Sequence, residues 1–190
     1  MELNTSTKEA IINTSAIKIK KRDGRAEPLD IDKIHFVVEE ACEGLEGVSS
    51  SQIEINANIQ FYDGMTTKEV QQILVRSAND LISLEAPNYQ YAAARLLSYD
   101  VRKEAHGQYE YMPLLKLILR NIKAGVYDKG IVEKYNKTEI KKMNTWIKRE
   151  RDLDFTYAGL RQVVDKYLVQ DRSSGDLFET PQDMYMMIAA

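Results

Sequence analysis

The stretch Lys20-Lys21-Arg22-Asp23-Gly24-Arg25 sets four cations around a tight turn. Alternation of apolar and polar residues at Ala16-Ile17-Lys18-Ile19-Lys20 predicts a strand before that turn, and Arg25 to Ile31 can return as a second. Ammonium and guanidinium groups projecting from one edge of such a hairpin can grip polyphosphate oxygens by charge-assisted hydrogen bonds. A solvated hairpin tip carries the same residues, as does a basic localisation signal, and for this stretch alone the solvated tip is the commoner outcome. A second contributor favours phosphate: Thr67 falls at the predicted start of a helix, where backbone N–H groups and the helix dipole favour an anion and its hydroxyl adds a donor. Lys33 and Lys103 are candidates to complete the basic lining, although each alone is more readily explained by surface solvation. Glu27 and Asp30 are acceptors suited to an adenine amino group or a ribose hydroxyl, with solvation and helix capping as their ordinary roles.

Other chemistries find little support. There is no G-x-x-x-x-G-K-[ST] loop, no G-x-G-x-x-G fingerprint and no H-E-x-x-H motif, which argues against ATPase chemistry. One cysteine, Cys42, and 2 histidines rule out an internal disulfide and leave too few soft ligands for a structural zinc, which suits a reducing cytoplasm. Cys42 reads as a small core residue, and His35 and His106 have no ligand partners at local spacing. Tyr89, Tyr91, Tyr99, Tyr109 and Tyr111 read as packing more readily than as a stacking surface. With 26 basic against 29 acidic residues the net charge is −3, so any anion site is a local patch and neither nucleic acid nor a membrane is an expected partner. No transmembrane run or signal peptide is evident.

The elements that must position these residues read as mainly α. After a flexible tail over residues 1–15, the hairpin at 16–31 leads to a first helix in which Ile34, Val37, Val38, Ala41 and Leu45 recur at helical spacing, capped by Asp30 and stopped near Gly44 and Gly47. Ser51 with Glu54 signals a capping box for a helix through Ile59, and Thr66 with Glu69 another for Thr67 to Leu84, with Leu81 and Ile82 on its inward face. A fourth helix follows Pro87, from about Asn88 to His106, with Ala92, Leu96 and Tyr99 inward and Gly107 as its stop. Residues 16–107 therefore read as a hairpin packed on four helices. Residues 108–190 read as a second, all-helical segment, with helices separated at Gly125, Gly130 and the charged stretch 148–152, a helix near Thr156 to Asp165, a hairpin at 167–179 and a helix opened by Pro181. The last helix is still apolar at Ala190, so a packing partner is expected there.

The ordered set Lys-Arg-Asp-Gly at 21–24, Leu-Asp-Ile-Asp-Lys-Ile-His at 29–35, Phe-Tyr-Asp-Gly-Met-Thr-Thr at 61–67 and Ala-Pro-Asn-Tyr-Gln-Tyr-Ala-Ala-Ala-Arg-Leu at 86–96 resembles an ATP-cone, as found on class Ia ribonucleotide reductase large subunits. The resemblance continues through Gly107-Gln108-Tyr109-Glu110, Gly125-Val126-Tyr127-Asp128, Arg151 to Tyr157 and Lys166 to Gln170. It implies a cone at 16–107, a helical segment leading toward a barrel that this chain does not include, and an allosteric overall-activity module that binds ATP as activator or dATP as inhibitor, with Mg2+. Carried over by position, the nucleotide ligands are Lys21, Arg22, Glu27, Lys33, Thr67 and Lys103. Positions held by an asparagine and two histidines in well-studied cones are Asp30, Gln71 and Asp100 here. Gln71 can still hydrogen-bond a ribose, whereas Asp100 repels a triphosphate unless Arg102 or Lys103 compensates, which implies weakened dATP inhibition. The implied partners are the remainder of the large subunit, which carries the radical and redox cysteines, and a radical-generating small subunit, in a cytoplasmic oligomer. No residue of this chain is expected to be catalytic, and no metal site is expected.

Two other readings stay open at this level. One is the N-terminal half of a split reductase acting with a separate catalytic chain. The other is a non-enzymatic, nucleotide-responsive interaction module; the repressors that borrow a cone also carry a four-cysteine zinc ribbon, which a chain with 1 cysteine cannot build.

Overall fold

Alternation in the first strand places Ile17 and Ile19 inward at 7% exposure and leaves Lys18 and Lys20 in solvent. The computed structural model describes residues 17–190; the tail expected at 1–15, and Ala16, lie outside the described residues. Strands β1 (Lys18–Lys20) and β2 (Ala26–Pro28) pair antiparallel, with Lys18 opposite Pro28, Ile19 opposite Glu27 and Lys20 opposite Ala26. The turn closes through Lys21 N–H to the Arg25 carbonyl at 2.8 Å, with Gly24 at φ 85°, a conformation that excludes most side chains. A two-stranded ribbon is marginal by itself. Here β1 has a further partner, because Gly64 N–H donates to the Lys18 carbonyl and Lys20 N–H to the Met65 carbonyl, each at 2.8 Å, and Lys20 bridges Thr66 in parallel.

The chain divides between Leu96 and Leu97 into two units. In the first, helix α1 (Ile31–Cys42) is capped by Asp30 as expected and buries Ile34, Val38 and Ala41; it stops at Cys42, leaving Leu45 in the turn beyond. Helix α2 (Ser50–Asn58) is capped by Ser49 rather than Ser51. Tyr89 explains the shift: its hydroxyl accepts the Ser49 N–H at 3.0 Å and donates to Gln52 Oε1 at 2.9 Å, while Glu54, the expected capping partner, binds His35 instead. Helix α3 (Thr67–Asn79) carries the expected capping box of Thr66 and Glu69. It ends five residues before Leu84, because the N–H groups of Leu81 and Ile82 turn to carbonyls three residues back and the apolar tail is not needed in the core: Ile82 is 39% and Leu84 96% exposed. Helix α4 (Tyr89–His106) follows Pro87 and buries Ala92, Ala93, Ala94 and Leu96 in this unit; its residues from Leu97 on belong to the second unit, and it stops at Gly107 with φ 70°.

The second unit packs α5 (Leu114–Lys123), α6 (Gly130–Lys134), α7 (Lys137–Trp146), a 3-10 turn (Arg149–Asp154), α8 (Tyr157–Lys166) and α9 (Pro181–Ala189). Met112, Leu114, Leu117, Ile118, Ile140 and Met143 form its core. Gly130 opens α6 rather than separating helices; a side chain there would meet Asp128 Oδ1 at 2.7 Å. The second hairpin reduces to one bridge between Gln170 and Leu177, since Val169 N–H is taken by the Glu179 carboxylate. Beneath α9 lies a buried polar cluster. Asp183 accepts from Thr180 N–H at 3.1 Å, Thr180 Oγ1 at 2.6 Å and His106 Nε2 at 3.0 Å, and pairs with Arg149 at 2.8 Å. His106 Nδ1 accepts the Met112 N–H at 2.9 Å, which fixes the ring proton on Nε2. Burial pushes the Asp183 carboxyl up, but His106 and Arg149 outweigh it and hold the group at about 2.

Candidate functional site

The bridge between Lys20 and Thr66 sets the carboxyl end of β1 against the amino end of α3. Lys21 and Thr67, the next residues on each side, are therefore brought together by backbone pairing. Thr67 is the first residue of α3, half-buried, and its N–H has no carbonyl four residues back within the helix. Its hydroxyl makes no hydrogen bond within the described residues, whereas neighbouring Thr66 is fully spent: its side chain caps Glu69 N–H at 3.2 Å and donates to Glu69 Oε2 at 2.7 Å.

Around this junction the charges alternate. Lys21 Nζ lies 2.8 Å from Glu27 Oε1 across the hairpin, and Lys33 Nζ lies 2.7 Å from Asp30 Oδ2 on the first turn of α1. Asp30 also accepts the Lys33 N–H at 3.1 Å, so its capping role is real. The Lys33 hydrogen bond lowers the Asp30 carboxyl below its ordinary value; the Asp30 bond raises Lys33, and Glu27 adds to that through space. Lys21–Glu27 and Asp30–Lys33 thus form two partly exposed ion pairs, with Glu27 close enough to act on Lys33. Such pairs are worth about 0–1 kcal/mol, so a ligand with several anionic oxygens can displace the carboxylates from the lysines.

Arg25 is differently placed. Asp23 takes its N–H at 3.0 Å, its Nε at 2.7 Å and its Nη2 at 2.6 Å, which closes the turn and commits this cation to it. Arg22 stands exposed at the tip. Gln71, one turn after Thr67, donates its amide to the Leu96 carbonyl at 2.8 Å and so ties α3 to α4. Lys103 is exposed in the last turn of α4. Arg102, a candidate to offset Asp100, is turned away onto three tyrosines, 5.0, 4.2 and 4.9 Å from the rings of Tyr99, Tyr109 and Tyr111.

The other chemical candidates resolve simply. Cys42 is half-buried, and burial pushes its thiol up to about 11, far from nucleophilic. His35 ties α1 to α2 through Glu54 at 2.8 Å, with Glu39 at 3.2 Å. A hollow between α1 and the start of α2 is lined by Phe36, Glu39, Glu40, Cys42, Glu43, Val48 and Ser50, and its carboxylates make it hostile to phosphate. Among the described residues no group of three His, Cys, Asp or Glu side chains is placed to hold a metal ion, and no helix is long and apolar enough to cross a membrane.

Sequence reasoning found the cations and Thr67 but missed the backbone pairing that joins them. It also missed the pairing of His106 with Asp183, 77 residues away. Asp63-Gly64 just before the capping box was the available signal for the first; nothing local signals the second.

Residues 17–104 match the ATP cone domain, and residues 153–190 match the all-alpha domain of ribonucleotide reductase. The chain is 44% identical over 172 residues to ribonucleoside-diphosphate reductase 1 subunit alpha of Escherichia coli, covering 90% of this chain and 23% of that protein. It is 41% identical over 174 residues to the subunit alpha of Enterobacteria phage T4, with 90% and 23% covered, and 39% identical over 173 residues to that of Helicobacter pylori, with 91% and 21% covered. The chain belongs to the ribonucleotide reductase large-subunit family. It spans under a quarter of the length of these relatives, and the nucleotide-effector function attaches to its cone.

Proposed function

We propose that this part of a reductase large subunit is its overall-activity switch, binding ATP as activator and dATP as inhibitor to control deoxyribonucleotide synthesis. The observation that carries this reading is the Lys20–Thr66 bridge, which gives the basic hairpin a helix N-terminus to work with. Triphosphate oxygens take Lys21, Arg22 and Lys33 from their present surroundings and receive the Thr67 N–H and hydroxyl. Glu27, released from Lys21, accepts from the adenine amino group or a ribose hydroxyl. Lys103 adds a further cation by the family resemblance.

Asp30 and Gln71 contribute less directly. Asp30 keeps its cap and holds Lys33 at hand. Gln71 has its amide nitrogen engaged by Leu96, which leaves Oε1 to accept from a ribose hydroxyl. ATP has a 2′-hydroxyl for this acceptor and dATP lacks one, so Gln71 favours ATP and dATP inhibition is weakened. Mg2+ travels with the phosphates, since among the described residues no group of three His, Cys, Asp or Glu side chains is placed to hold it. By the family resemblance, reduction itself belongs to the remainder of the large subunit working with a radical-generating small subunit; the single Cys42 here cannot form a redox pair within this chain. A ligand that favours one arrangement of the cone changes which surface the assembled subunits present.

Calorimetric titration with ATP and dATP tests this. Lys21→Ala and Thr67→Ala are each expected to weaken both nucleotides about tenfold or more. Unchanged affinity in both variants removes the site.

A further inference from the structure

The groove between α5 and α7 in the second unit is not used by any function derived above. Helix α5 reads Leu-Leu-Lys-Leu-Ile-Leu-Arg-Asn-Ile-Lys and is apolar on more of its circumference than one core needs. Leu114, Leu117 and Ile118 face inward at 0, 0 and 1% exposure. Leu119, 47% exposed, lines the groove, and so does Leu115 one turn before it, which is half-buried and also packs on the core. Lys116 and Lys123 on α5 and Lys141 on α7 rim it, and no carboxylate among the described residues lines it. Arg120 is not part of this charge, because its guanidinium is spent on the Ala105 and Phe178 carbonyls at 2.6 and 3.0 Å. None of the three lysines makes an ion pair with a described residue.

We infer that this groove docks an acidic amphipathic helix of a partner polypeptide. Its apolar floor of Leu115 and Leu119 takes leucine-like side chains at one-turn spacing, and the lysines on both walls pair with flanking carboxylates. Charge complementarity selects the partner: three unpaired cations around leucines repel a basic helix and reward an acidic one. Shape argues in the same direction, because a concave trough between two helices receives a rod and not a flat lipid surface. An aliphatic floor without an aromatic ring offers nothing for bases to stack on, which disfavours nucleic acid.

The test uses the 190-residue chain and a labelled synthetic peptide of about 14 residues, four helical turns, with leucines at every third or fourth position and glutamate elsewhere. A second peptide has lysine in place of each glutamate. Fluorescence anisotropy is expected to show binding of the acidic peptide alone, weakened by salt and weakened about tenfold or more by Leu119→Glu and by Lys141→Glu. Both positions are exposed, and circular dichroism verifies that the variants fold. Equal binding of the two peptides, or affinity untouched by both substitutions, overturns the inference. So does failure of the acidic peptide to bind while the chain self-associates or sediments with anionic vesicles through Leu119. None of these outcomes bears on the nucleotide site, which lies in the cone.

Discussion

Two adjacent threonines offer a sharp separation of structure from binding. The Thr66 side chain caps α3 and is locked to Glu69, while the Thr67 hydroxyl makes no hydrogen bond within the described residues. Thr66→Ala therefore removes a cap and is expected to cost about 1 kcal/mol, within a range of about 0.5–2. For a unit the size of the cone that lowers the melting temperature by about 4–8 °C. Thr67→Ala removes only a hydroxyl that bonds no described residue, so its melting temperature stays within about 2 °C of the parent. A hydrogen bond to a charged group is worth about 1.5–3 kcal/mol, which puts the loss of ATP affinity at about ten- to hundredfold. Thermal unfolding by circular dichroism, paired with calorimetric titration of ATP on the same samples, reads both quantities. If Thr67→Ala unfolds the chain as much as Thr66→Ala, or leaves ATP affinity intact, the division of labour at this helix start is wrong.

Three further outcomes follow from the same geometry. Glu27→Gln frees Lys21 from an exposed ion pair worth up to about 1 kcal/mol, so inorganic tripolyphosphate, which has no base or ribose, should bind up to about fivefold tighter in a filter or calorimetric assay. Arg25→Ala should leave ATP affinity within about twofold, because Arg25 serves Asp23 and the turn; a tenfold loss places Arg25 among the ligands. In the second unit Asp152 is buried with Oδ2 unpaired, and burial pushes its carboxyl up to about 6 from 3.8. Its native form thus holds a proton that the unfolded chain has lost, and stability falls as pH rises through that window by about 3 kcal/mol at most. Asp183 has the opposite sign, contributing stability above 3.8 that is lost as pH falls toward about 2. Asp152→Asn should flatten the decline between about pH 4 and 6 and raise the melting temperature at pH 7, as thermal melts across pH will read.

Local signals carried most of the helices. The Thr66-x-x-Glu69 box, the Asp30 cap and the glycine after His106 act within one turn of the chain, and each is found where its residues stand. Ser51 failed as a cap because Tyr89, forty residues later, holds Ser49 in that role. Leu81 and Ile82 carried helical periodicity past the true end of α3, since periodicity does not register that a core is already full. The second hairpin shrank to a bridge because a side chain, Glu179, competes for a strand N–H. The site divides along the same line. Its residue types and charges were legible, but the pairing of β1 with residues 64–66 and the alignment of Gln71 with Leu96 depend on contacts far apart in sequence. Cations in one segment and a helix start in another become a phosphate site only when such contacts join them.

The cationic end of β1 and the start of α3 are proposed to act as one nucleotide site. Amide chemical shifts of the isotope-labelled chain, followed during titration with ATP and then dATP, test it most directly. The expected result is saturable movement of Lys21, Arg22, Thr67 and Lys68, with the acidic hollow at Glu39, Glu40 and Glu43 unaffected. No movement at saturating nucleotide, or movement confined to residues away from the hairpin and α3, contradicts the account.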